Sequence, residues 1–135
     1  MKTVVVGYDG SEEAKRALDR AAALGRAGAK VIVVTGVELS LSGGRSMGAV
    51  DSHVVAAGAE TLDAARNHLK TQGIDAEAIE GTGDPADVII EAAKEHNADV
   101  IVVGTRGLNA AERLVLGSVS TKIVHHAPCD VLVVR

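Results

Sequence analysis

Aromatic residues are nearly missing from this chain: Tyr8 stands alone, with no phenylalanine and no tryptophan among 135 residues. The core must then be built from Val, Ala, Leu and Ile, in a sequence that is 47% apolar. Val and Ile favour strands while Ala and Leu favour helices, so the composition predicts a mixed α/β domain. A formal charge of −4 supplies no basic field, and basic–aromatic interleaving is absent. Nucleic acid is therefore not expected as a partner. Cys129 is the only cysteine, which excludes an intrachain disulfide and fits a reducing interior. No apolar run approaches the roughly 20 residues of a membrane span. Met1-Lys2-Thr3 leads straight into a strand-like run without a signal-peptide pattern, so a cytoplasmic location is expected. No linker, repeat or low-complexity tract divides the chain, and residues 1–135 read as one domain.

Strands and helices alternate along it. Thr3 to Tyr8 (TVVVGY) is a short apolar run suited to a strand buried on both faces. Asp9-Gly10-Ser11 breaks it, with Ser11 as N-cap and Glu12 and Glu13 in the first turn. Ala14, Ala17, Leu18, Ala21, Ala22 and Leu24 then recur at helical spacing. Lys30 to Val37 predicts a second strand, and Glu38 to Val50, with Gly43, Gly44 and Gly48, reads as a loop. A helix is expected from about Asp51 to Thr71, and an edge strand over Ile74 to Glu80. Asp84-Pro85 opens a helix to about His96, as N-cap and N1. Ala98 to Gly104, Ser118 to His126 and Asp130 to Val134 complete the series as strand, helix and strand. The expectation is an α/β fold: an open five-stranded parallel sheet flanked by four helices. In such sheets ligands bind outside the carboxyl ends of the strands, where strand order reverses. Asp9, Val37 and Gly104 all fall at that edge.

The strand VIVVG ends at Gly104; Gly107 follows after two residues, and Gly117-Ser118 after nine more, where a helix begins. Glycines let a ligand approach the main chain, and a helix start offers free N–H groups, so this spacing reads as a phosphate cradle. Other signals have simpler explanations. GTGDPA (Gly81 to Ala86) mimics a dinucleotide fingerprint but follows the third strand, and Asp84-Pro85 accounts for it as a helix start. SGGRS (Ser42 to Ser46) follows the second strand and lacks the acidic residue of a pyrophosphatase loop. His125, His126 and Cys129 cluster at a helix end without a second group to complete a tetrahedral site. There is no Walker A sequence, no Ser-His-Asp or Cys-His spacing, and no carboxylate pair at a strand end.

The Gly104–Gly107–Gly117-Ser118 spacing resembles the nucleotide motif of the universal stress protein family. VVVGYDGSEEAKRAL resembles that family's opening strand and helix, GDPADVIIEAAKEHNADVIVVGTRG its third helix and fourth strand, and LGSVSTKIVHHAPCDVLVV its ending. The resemblance covers nearly all but about Glu38 to Ser52. It implies a Rossmann-like, adenine nucleotide alpha hydrolase-like fold that binds ATP, with or without Mg²⁺ or Mn²⁺, in a stress-response regulator. It implies phosphates held on Gly104, Gly107, Gly117, Ser118 and Val119, chiefly through backbone N–H groups, with a hydroxyl from Ser120. It further implies that Asp9 meets the adenosine portion and Val37 the adenine edge through its backbone. Arg106 or Arg113 would neutralise charge beside Leu108 to Leu116, and Arg113 reads equally as a solvated cation. The final strand, VLVV, implies a homodimer paired along its edge. Three alternatives stay open: a cyclic-AMP-binding member, since GTRG lacks the His that many members carry after a first Gly-Ser; a slow ATPase using Arg106 and a metal; and a nucleotide-free interaction protein.

Overall fold

A computed structural model of the chain describes residues 2–37, 52–105 and 116–135, apart from the side chains of 52–56. The elements are β1 (Thr3–Gly7), α1 (Glu12–Arg26), β2 (Lys30–Val37), α2 (Ser52–Thr71), β3 (Glu77–Thr82), α3 (Pro85–Glu95), β4 (Val100–Gly104), α4 (Ser118–His126) and β5 (Asp130–Val134). The strands form one parallel sheet in the order β3-β2-β1-β4-β5. Strand order reverses between β1 and β4, the place where such sheets open a crevice.

Alternation along each strand sorts the core into two layers. Val4, Val6, Val31, Val33, Val100 and Val102 face one side, packed with Ala17, Leu18 and Ala21 of α1 and Leu62, Ala65 and Leu69 of α2. Val5, Ile32, Val34, Ile101 and Val103 face the other, against Ile89, Ile90 and Ala93 of α3 and Ile123 of α4. The small residues on the inner faces of α1 and α3 let helices lie close to a sheet that has no rings to fill a wider gap. Helix starts and ends follow their local chemistry. Ser11 Oγ accepts from the N–H of Ala14 at 3.1 Å, and Asp84 accepts from Asp87 with Pro85 behind it. Asn97, at φ 51°, ends α3 in the left-handed region that Asn tolerates.

The expected helix over Ser118 to His126 and strands over Lys30 to Val37 and Asp130 to Val134 have those bounds in the structure. The third strand does not: it runs Glu77–Thr82, not Ile74 to Glu80. Ile74 and Ala76 alternate with polar residues because both are buried in the layer beneath α1 and α2. Pairing with β2 begins only at Ile32↔Glu77 and carries through Gly36↔Gly81 to Val37↔Thr82. The expected loop over Glu38 to Val50, with Gly43, Gly44, Gly48 and SGGRS, lies outside the described residues.

Candidate functional site

Three helix starts converge on the carboxyl edge of the sheet, around a cleft of about 390 Å³. Gly7, Tyr8 and Asp9 line it from β1, Val34, Thr35 and Gly36 from β2, and Val103 and Gly104 from β4. Ser11 and Ala14 of α1, Pro85 and Ile89 of α3, and Gly117 to Ser120 of α4 close it from above. Val34, Ile89 and Val103 make one side apolar, while Asp9 and the start of α4 bring polar groups to the other.

Two of the three helix starts are already satisfied by their own side chains. Asp9 Oδ1 accepts from the N–H of Ser11 at 2.9 Å, a turn made possible by Gly10 at φ +87°. Ser11 then caps α1, and Asp84 caps α3. α4 differs, because its N-cap is Gly117 and no side chain caps it. Its first internal bond is Thr121 N–H to Gly117 O, at 2.9 Å. Among the described residues, the N–H groups of Ser118, Val119 and Ser120 therefore have no acceptor. They stand at the positive end of the α4 dipole, in the cleft lining.

Most of the sequence-predicted residues come together here. Asp9, Gly104, Gly117, Ser118, Val119 and Ser120 all line the cleft. Arg106, Gly107 and Arg113 lie outside the described residues. Val37 ends β2 as expected, but the cleft is lined by Val34, Thr35 and Gly36 instead. Val37 is buried, its Cγ2 reaches toward Gly58 of α2, and its carbonyl accepts from the N–H of Gly83 at 2.9 Å. The N–H of Gly117, expected to face a phosphate, donates to Thr105 O at 2.6 Å. The Ser120 hydroxyl is likewise 2.7 Å from Thr105 O and 3.1 Å from Gly117 O.

Other lining residues fall outside the predicted site set, among them Tyr8, Thr35, Pro85 and Ile89. Tyr8 is buried, and that burial pushes its hydroxyl pKa up, with Lys15 opposing and the Asp9 and Glu12 carboxylates adding to it. Thr35 is buried and donates to the Tyr8 carbonyl at 2.8 Å. A lone hydroxyl inside the apolar run VIVVTGV was the signal that could have found it. Pro85 and Ile89 reach the cleft from the β3–β4 crossover on the opposite face, which no local pattern reveals. Among the described residues, Asp9 is the only carboxylate in the lining, and no group of three or more His, Cys, Asp and Glu converges. His125 and His126 are exposed at the end of α4, and Cys129 is half-buried with its thiol pKa raised by burial.

The universal stress protein family matches the chain over residues 1–135. The chain belongs to that family. A Staphylococcus aureus (strain USA300) protein that carries the universal stress protein name is 38% identical over 141 residues, spanning 99% of this chain and 84% of the relative. The fold is similar to that of a universal stress protein crystallised with cAMP, at 32% identity and a TM-score of 0.78, over 99% of this chain and 97% of that one. It is also similar to a universal stress protein from Archaeoglobus fulgidus in complex with dAMP, at 28% identity and a TM-score of 0.74, over 100% and 98% of the two chains. Among the described residues of this family member, no helix is long and apolar enough to cross a membrane.

Proposed function

We propose that this universal stress protein is a single-domain adenine-nucleotide-binding regulator that takes ATP, with its phosphates on the start of α4. The observation that carries the reading is the uncapped α4 N-terminus, opening its Ser118, Val119 and Ser120 N–H groups into the cleft beside Asp9. An anion at such a helix end gains about 0.3–1 kcal/mol from the dipole, and up to about 2 where partly buried, besides the hydrogen bonds themselves. Asp9 has one oxygen engaged with Ser11, which holds the carboxylate still and leaves the other to accept from a ribose hydroxyl or an amine. The apolar side formed by Val34, Ile89 and Val103 suits a flat base. Gly107 and Arg106 extend the phosphate side in this reading, and any Mg²⁺ or Mn²⁺ is held chiefly by the phosphates.

Binding, rather than turnover, is the proposed activity. Asp9 is the only base lining the cleft among the described residues, and positioning alone gives limited acceleration. A second reading, cyclic AMP as the ligand, is favoured by the cAMP bound to the 32%-identical relative. A cytoplasmic location and a homodimer through β5 complete the proposal.

Calorimetric titration of nucleotide-stripped protein with ATP and Mg²⁺ tests it, with cyclic AMP as competitor and Gly117→Val as control. The expected result is binding of about micromolar strength, equivalent to roughly 8 kcal/mol, that is lost in the variant while it stays folded, its melting temperature lowered only by the poorer N-cap. Tighter binding of cyclic AMP would transfer the site to the second reading. No binding of either nucleotide would overturn both.

A further inference from the structure

Three polar residues are buried among the described ones, and two have evident tasks: Ser11 caps α1 and Thr35 holds the Tyr8 carbonyl. The third, Ser120, is 2% exposed and sits in the first turn of α4. A hydroxyl has one proton to give. That of Ser120 lies 2.7 Å from Thr105 O, the shorter of its two contacts. The same carbonyl accepts the Gly117 N–H at 2.6 Å, while the Thr105 N–H donates to Val134 O of β5 at 2.8 Å. One residue thus gathers the exit of β4, the end of β5, the N-cap of α4 and its first turn. An ionised phosphate carries acceptors only, so Ser120 can donate to it only by abandoning Thr105.

We propose that Ser120 acts through its hydroxyl as a positioning residue of the nucleotide site, the hydroxyl itself not donating to a phosphate: its bond to the Thr105 carbonyl locks the first turn of α4 to the exit of β4. The lock keeps the Ser118 and Val119 N–H groups aimed into the cleft before any ligand arrives. Pre-set donors bind more tightly than donors that must be ordered on binding. The inference rests on the adenine-nucleotide reading for its ligand, but the lock itself is a property of the ligand-free protein.

Amide hydrogen exchange on nucleotide-stripped protein, followed by ATP titration, separates the two. Ser120→Ala is expected to speed exchange at the Gly117 N–H about five- to tenfold and to weaken ATP by a similar factor, the size of one net hydrogen bond. Thr121→Ala, an exposed neighbour on the same turn, is expected to change neither. Unchanged exchange at Gly117 in Ser120→Ala overturns the lock. If ATP binding nevertheless falls, the hydroxyl acts on the ligand directly. Failure of the unmodified protein to bind any adenine nucleotide removes the nucleotide reading, while the exchange rates still report whether the lock exists.

Discussion

Gly104 serves two neighbours at once. It lines the cleft, as the strand-end glycine led one to expect, but a side chain there would also meet the first turn of α1. A Cβ on Gly104 would lie 2.7 Å from Glu13 Cβ and 2.9 Å from the Glu13 carbonyl carbon. The residue is small because the first turn of α1 rests on it. Gly104→Ala is therefore expected to destabilise the fold by about 1–3 kcal/mol, the usual cost of overpacking against a backbone. Urea unfolding at neutral pH measures this; an unchanged midpoint would mean that α1 can move aside. Asp9, Gly10 and Ser11 were legible as residues because their bonds close within five positions. Gly104 was legible only in place, since Glu13 is brought to it by the packing of α1 across the sheet.

At the scale of elements, α3 and α4 are held together at their starts. Lys122 of α4 reaches Asp84, the N-cap of α3, at 3.0 Å and Asp87 at 2.9 Å. The hydrogen bond from Lys122 holds the Asp84 carboxyl below its ordinary pKa, helped by backbone N–H groups, while burial opposes. A carboxyl whose pKa is lowered on folding stabilises the protein above its unfolded pKa, about 3.9, and loses that contribution as pH falls through the folded value. The side chains are more than a third exposed, so screening keeps the effect small. Asp84→Asn retains a good cap but loses the charge. Its melting temperature should lie slightly below that of the parent at pH 7, with the gap closing below about pH 4. A gap independent of pH would assign the loss to the cap instead. The start of α3 was readable from Asp84-Pro85, and that of α4 from Gly117-Ser118, because caps are local. The bounds of β3 were not, because its pairing with β2 decides where a strand begins, and burial of Ile74 and Ala76 imitates strand alternation.

For the whole molecule, the two sheet edges differ. β3 carries Glu77 and Glu80, and Glu77 pairs with Lys30 at 2.9 Å, which discourages another chain from adding there. β5 reads DVLVV, with Leu132 38% exposed and Val124 of the neighbouring α4 at 46%. A homodimer is accordingly proposed along β5. Leu132→Lys should convert it to a monomer with unchanged far-ultraviolet circular dichroism, read by sedimentation at tens of micromolar protein. Persistence of a dimer in that variant would move the interface elsewhere. The Thr105 N–H donates to Val134 O at the end of β5 while the Thr105 carbonyl accepts from Gly117, so the strand of the proposed interface is tied to the residue that holds the start of α4.

What the sequence determined by itself is what short-range chemistry can specify. Apolar runs without rings gave the central strands β1, β2 and β4, buried on both faces, and caps at Ser11 and Asp84 set the starts of α1 and α3. The spacing Gly104 to Gly117-Ser118 marked one side of a crevice, and the alternation of strands and helices implied a parallel sheet. Only the tertiary structure decided the rest. The order β3-β2-β1-β4-β5 sets Asp9 opposite α4 and brings Pro85 and Ile89 over the cleft from the other face. It also gave the Ser120 proton to Thr105, fifteen positions away, because β4 and the first turn of α4 meet only once the sheet is assembled.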